Sequence, residues 1–180
     1  MALIQKQIYT ADDYWNLPAN ERAELIHGQL FAMAPPNFMH QKLISEFTQL
    51  FGSYIKKQKG SCEVIPAPFA VNLDKEGKNW VEPDLSVICD PSKISERGCS
   101  GAPDLILEVI SPSSKKMDYI IKNSLYSDSG VREYWIVDPL KKATMIYHYE
   151  QDITPSIFSF ETPIHVGIFP ELSVVVADLL

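Results

Sequence analysis

The sequence predicts an α/β fold, on three observations: a strand, helix, strand succession over residues 104–138, an amphipathic helix from Phe38 to about Lys57, and a hairpin ahead of that helix. In chain order, Thr10-Ala11-Asp12-Asp13-Tyr14 places an N-cap before first-turn acid and opens a short helix ending near Leu17-Pro18. His27-Gly28 separates two apolar runs, residues 23–26 and 29–33, as a tight hairpin turn does. Pro35-Pro36-Asn37 stops the sheet and starts a helix. Along it Leu43, Phe47, Leu50, Phe51 and Tyr54 recur at three- and four-residue spacing, so one face is buried, and Gly60 is the expected end.

Three strands are expected next, at about 62–73, 80–89 and 104–110, the first two joined by the polar turn 74–79. Ser111-Pro112-Ser113-Ser114 then changes the period, and the pattern is helical to about Ser129, with Gly130 as the stop. Residues 131–138 form another buried strand ended by Pro139, and residues 144–150 pair with it across Lys141-Lys142. The resulting βαβ unit has a crossover that is right-handed in nearly all proteins. The tail, 167–180, closes the core.

With 180 residues, 46% of them hydrophobic, and no Gly/Ser-rich separator, the chain is read as one domain spanning 1–180. Cys62, Cys89 and Cys99 are odd in number and lack paired CxxC spacing, so neither a disulfide framework nor structural zinc is expected, and the thiols are read as reduced in a cytoplasmic protein. No secretory leader pattern stands at the N-terminus, and no run of 18 uncharged apolar residues occurs, so secretion and membrane spanning are disfavoured. A net charge of −7 argues against a large non-specific grip on nucleic acid but leaves room for a nuclease, because a bound divalent metal brings its own positive charge.

Two acidic residues stand in apolar strand sequence: Asp84 in Trp80-Val81-Glu82-Pro83-Asp84-Leu85-Ser86-Val87-Ile88, and Glu108 in Leu105-Ile106-Leu107-Glu108-Val109-Ile110. An ionised carboxylate inside a sheet costs several kcal/mol or more without a compensating cation or donors, and a metal ion is the simplest such partner. Strand parity puts Glu108 on a face with Ile106 and Ile110, and Asp84 on a face with Ser86 and Ile88, so adjacent strands in register would bring the two carboxylates together. Asp104 is a poorer partner, since four residues of strand separate it from Glu108 by roughly 13 Å. On the following helix Asp118, Lys122 and Tyr126 form one stripe beside Ile121 and Leu125. That spacing fits both an ammonium over the carboxylate pair and an ordinary Asp118–Lys122 surface ion pair.

Glu24-Leu25-Ile26-His27-Gly28, Pro36-Asn37-Phe38-Met39-His40, Glu82-Pro83-Asp84 and the run from Ala102 through Ser114 occur in a distinctive order. Asp118, Lys122, Tyr126 and Gly130 through Asp138 follow. The set closely resembles the Uma-two family of restriction-endonuclease-like proteins, within the PD-(D/E)xK nuclease superfamily, over roughly residues 8–180. The resemblance implies a central mixed sheet flanked by helices, with Asp84 and Glu108 as metal ligands and Lys122 as the catalytic lysine. One position departs from the superfamily pattern: Ile110 stands where the motif's lysine would lie, and Lys122 on the next helix takes its place. Glu24 matches a family position and reads either as a third metal ligand or as an exposed hairpin residue. His40 reads as a capping or packing residue or as a ligand, and Tyr126 as orienting Lys122 or packing.

The activity expected is Mg²⁺- or Mn²⁺-assisted hydrolysis of phosphodiester bonds in DNA, with Asp84, Glu108 and the Val109 carbonyl supplying hard oxygen ligands. Cleavage of both strands by one site per chain would call for a homodimer. A different class, a non-catalytic binding module on the same scaffold, accommodates the acidic charge and Ile110.

Overall fold

The computed structural model describes residues 7–112 and 114–180, with residues 152 and 153 by backbone alone. Residues 1–6, part of the stretch inspected for a leader, and Ser113 of the expected helix start lie outside the described residues. Helix α1 (Ala11–Trp15) begins with a reciprocal capping box between Thr10 and Asp13. Strands β1 (Ala23–Ile26) and β2 (Gln29–Ala32) form the expected hairpin, its turn made by His27 and Gly28 at φ 49° and 70°, the left-handed values that match the twist of paired strands. Helix α2 (Phe38–Lys57) is capped by Asn37, whose side chain accepts the His40 N–H, and it buries Leu43, Ile44, Phe47, Phe51 and Ile55. The left-handed residue after it is Lys59 (φ 54°) rather than Gly60.

The expected strands at 62–73 and 80–89 are each broken in two. The first becomes β3 (Glu63–Pro66) and β4 (Val71–Asn72), the second β5 (Trp80–Val81) and β6 (Leu85–Ile88). Prolines supply the physical reason. Pro66, Pro68 and Pro83 have no N–H to give a ladder, so the chain leaves one sheet at each break and enters another.

Downstream lie β7 (Ile94–Ser95), β8 (Gly98–Ser100), β9 (Leu105–Val109), a π-helical segment (Met117–Lys122) running into α3 (Asn123–Ser129), β10 (Glu133–Asp138) and β11 (Ala143–His148). Gly130 ends α3 in the left-handed conformation, as expected. Strand β12 (Asp152–Ser159) was not anticipated, and the tail folds as a hairpin, β13 (Ile164–Val166) with β14 (Phe169–Val174), before a 3₁₀ turn at Val176–Leu179.

Two six-stranded sheets result. The central one has the order β12-β11-β10-β9-β6-β3 and is mixed: β9 and β10 run parallel, as a βαβ unit requires, and the remaining pairs are antiparallel. The other has the order β2-β1-β5-β4-β8-β7. Side-chain alternation divides the apolar residues of the central sheet between two cores. Leu85, Val87, Leu105, Leu107, Val109, Trp135 and Val137 face α2 and the tail hairpin. Ile88, Ile106, Ile110, Tyr134 and Ile136 face the second sheet together with Leu125 and Tyr126 of α3.

The reading of the cysteines is corrected. Cys62 and Cys89 form a disulfide, and Cys99 is free and buried. The β3–β6 register pairs Glu63 with Ile88, which sets the flanking Cys62 and Cys89 opposite each other. Spacing along the chain carries no sign of that. No helix among the described residues is long and apolar enough to cross a membrane.

Candidate active site

The second break places Asp84. Glu82, Pro83 and Asp84 form the link by which the chain passes from the second sheet to the central one, so Asp84 stands at the mouth of β6 rather than within it. Leu85 pairs with Leu107 and Ser86 with Ile106, a register that extends to Asp84 opposite Glu108. The contact is reciprocal: the Asp84 N–H donates to Glu108 Oε2 at 3.4 Å, and the Val109 N–H donates to Asp84 Oδ2 at 2.8 Å. The parity argument therefore gave the right faces. Asp104 is occupied elsewhere, accepting from the Cys89 N–H at 2.8 Å and from Arg132 at 3.1 Å.

Lys122 reaches this pair. Its Nζ lies 2.9 Å from Glu108 Oε1, 2.9 Å from Glu24 Oε1 and 3.7 Å from Asp118 Oδ1, and it is only 4% exposed. The surface ion-pair reading fails because Asp118 is as buried as Lys122, and the contacts that hold the ammonium are the two glutamates. The π-helical segment carries both Asp118 and Lys122, and such widened turns recur at functional sites. Glu24 is 4% exposed, which excludes the exposed-hairpin reading, and its Oε1 also accepts the Glu82 N–H at 2.9 Å. One carboxylate from each sheet thus meets one helical lysine.

Two contacts were not foreseen in their particulars. The Tyr126 hydroxyl donates to Glu108 Oε1 at 2.8 Å, and His40 Nε2 approaches Asp84 Oδ2 at 3.0 Å. The stripe of Asp118, Lys122 and Tyr126 was a usable signal for the first. The second joins the first turn of α2 to the entrance of β6, which no periodicity reports. Ile110 is 3% exposed and packs in the apolar core.

The electrostatics are dominated by an excess of carboxylate. Burial raises Glu108 well above the usual carboxylate range, and Asp84, Asp118 and Glu24 add to the rise while Lys122 opposes it. Burial likewise raises Glu24 and Asp118, again against Lys122. Burial alone would lower Lys122, yet Glu108, Glu24 and Asp118 together outweigh it and hold the lysine protonated well above its ordinary value.

Three carboxylates around one lysine, with Asp84 beside Glu108, suit an added cation. No three acidic, imidazole or thiol groups among the described residues converge as a complete metal cage. Magnesium does not need one, since it is commonly held by one or two carboxylates with water and phosphate filling its remaining positions. Asp84 and Glu108 fit that role. The Val109 carbonyl points toward the same edge, because the N–H and C=O of an extended residue lie on the same side of the strand and the N–H already meets Asp84.

A solved structure shares this arrangement of sheets and helices. A crystal structure described as "a putative nuclease belonging to DUF820" from Anabaena variabilis superposes with a TM-score of 0.77, covering 94% of this chain and 96% of that one at 23% identity. The chain belongs to the Uma2 family, described as "Putative restriction endonuclease", whose pattern matches residues 11–177. An uncharacterized protein of Synechocystis, slr1290, is 27% identical over 139 residues, which cover 77% of this chain and 72% of that protein.

Proposed function

We propose that the protein is a metal-dependent DNA endonuclease whose centre is Asp84, Glu108 and Lys122. The observation that carries this reading is the convergence of Lys122 Nζ and the in-register Asp84 on Glu108. Asp84, Glu108 and the Val109 carbonyl would hold Mg²⁺ or Mn²⁺. When bound, such an ion acidifies a water and neutralises charge on the transferring phosphate.

Lys122 acts as a fixed ammonium, because its carboxylate neighbours keep its proton on. An ammonium has three hydrogens to donate. Two meet Glu24 and Glu108 at 2.9 Å, whereas the 3.7 Å approach to Asp118 exceeds hydrogen-bond length and leaves a direction open to a phosphate oxygen or the attacking water. Preorganised donors of this kind act where charge develops in the transition state. Glu24 keeps Lys122 in place, and the Glu82 N–H keeps Glu24 in place.

The test is incubation of supercoiled plasmid and single-stranded DNA with the protein in Mg²⁺, Mn²⁺ or chelator, beside Glu108→Gln and Lys122→Ala. Metal-dependent nicking lost in both variants supports the reading. Absence of cleavage in every condition, or cleavage unchanged in the variants, overturns it in favour of a binding module.

A further inference from the structure

The first turn of α2 reaches the catalytic cluster through one side chain. Asn37 caps the helix on the His40 N–H at 2.9 Å, and behind that turn Leu43, Ile44 and Phe47 anchor α2 in the core, so the imidazole stands on a rigid base. His40 is 9% exposed, and its Nε2 lies 3.0 Å from Asp84 Oδ2. An ionised carboxylate has no hydrogen to give, so Nε2 carries the proton and donates it, whether the ring is neutral or charged.

Oδ2 therefore receives two donors, His40 Nε2–H and the Val109 N–H, while Oδ1 has no partner among the described residues. Glu108 is held in a matching way. Its Oε1 receives Lys122 Nζ and the Tyr126 hydroxyl, and its Oε2 meets, among the described residues, only the Asp84 N–H at a long 3.4 Å. Each carboxylate has one oxygen clamped and one left over, on neighbouring chain segments.

We propose that His40 is a positioning residue that locks the Asp84 carboxylate by Oδ2 and thereby presents Oδ1, beside Glu108 Oε2, as the metal-facing oxygen. The inference rests on the metal-dependent reading above. Without His40 the Val109 N–H alone restrains Asp84, and the carboxylate is freer to turn away from Glu108. His40 Nδ1 is buried and has no partner among the described residues, so direct ligation through that nitrogen is the competing arrangement.

Substitutions separate the two. Glutamine places an amide N–H near the position of His Nε2 and offers nothing at Nδ1, whereas asparagine reaches the Nδ1 position and not Nε2. Mn²⁺ binding would be measured by calorimetry without DNA, on wild type, His40→Ala, His40→Gln and His40→Asn, with thermal melts in chelator to establish that each is folded. Losing a partner that orients a ligand costs about 10–100-fold in metal affinity, so His40→Ala and His40→Asn should weaken Mn²⁺ by that range and His40→Gln should stay within about threefold of wild type. Should the alanine variant not fold, the glutamine and asparagine variants carry the comparison. Wild-type affinity in His40→Ala, or a glutamine variant as weak as alanine, overturns the positioning role. Failure of the wild type itself to bind Mn²⁺ overturns instead the metal-dependent reading on which the role depends.

Discussion

Replacing Lys122 by methionine tests the electrostatic logic of the cluster directly. Methionine keeps the length and apolar stem of lysine, so packing is nearly preserved and the charge alone is lost. Left behind are Glu24 and Glu108, at 4% and 3% exposure, with Asp118 at 3%. Removing one partner of a buried ion pair costs about 3–5 kcal/mol, because the other charge stays buried without compensation. For a chain of this size that is a fall in Tm of roughly 6–20 °C at neutral pH in chelator.

The pH dependence has a definite sign. Glu24, Glu108 and Asp118 are already raised above their unfolded values with Lys122 present, and loss of the ammonium raises them further. A carboxylate raised on folding binds more protons in the folded state, so its contribution is complete below the unfolded carboxylate range and is lost as pH rises through the folded pKa. The difference between Lys122→Met and wild type should therefore be smallest in mild acid and largest at neutral to alkaline pH. Thermal or urea melts from mild acid to pH 8 measure it. A variant within about 1 kcal/mol of wild type at pH 8, or one whose deficit grows toward acid, would refute the buried-cation account.

Other consequences are equally open to measurement. Glu108→Gln removes a burial-raised carboxylate without opening a cavity, so its Tm should match or exceed that of wild type while nicking falls by at least about 100-fold; retained nicking at normal stability would sink the assignment of Glu108. Asn37→Ala deletes the cap of α2 and should cost about 1 kcal/mol in urea unfolding, and no loss would show that the cap is dispensable. The Cys62–Cys89 link, with a sequence separation of 27, should contribute roughly 3–4 kcal/mol on loop-closure grounds, seen as a lower Tm in reductant. Alkylation in non-reducing denaturant should then label Cys99 alone, and three labelled thiols would contradict the link.

Local signals in the chain carried a good part of this result. Thr10 and Asp13, His27-Gly28, Asn37 and Gly130 act within a few residues of themselves, and each appears where turn and cap chemistry puts it. The stripe of α2 and the apolar runs of β9 and β10 were legible for the same reason, since periodicity reports which face is buried. Parity also put Asp84 and Glu108 on faces that meet once β6 and β9 lie side by side in register, because alternation leaves only two choices of face.

What depended on distant partners was not legible. Whether a strand continues past Pro66 or Pro83 is decided by which sheet takes up the freed backbone groups, so the 62–73 and 80–89 strands broke where the chain changed sheets. The disulfide arises from the β3–β6 register and not from cysteine spacing. The sequence by itself determined the main helices, the βαβ unit and the faces on which Asp84 and Glu108 stand. Only the tertiary structure brought His40 from α2 and Lys122 from the crossover helix onto the Asp84–Glu108 pair, and Glu24 from the second sheet onto Lys122. Hydrogen bonds and ion pairs of a few ångströms depend on where whole elements pack, and the order of residues along the chain does not carry that information.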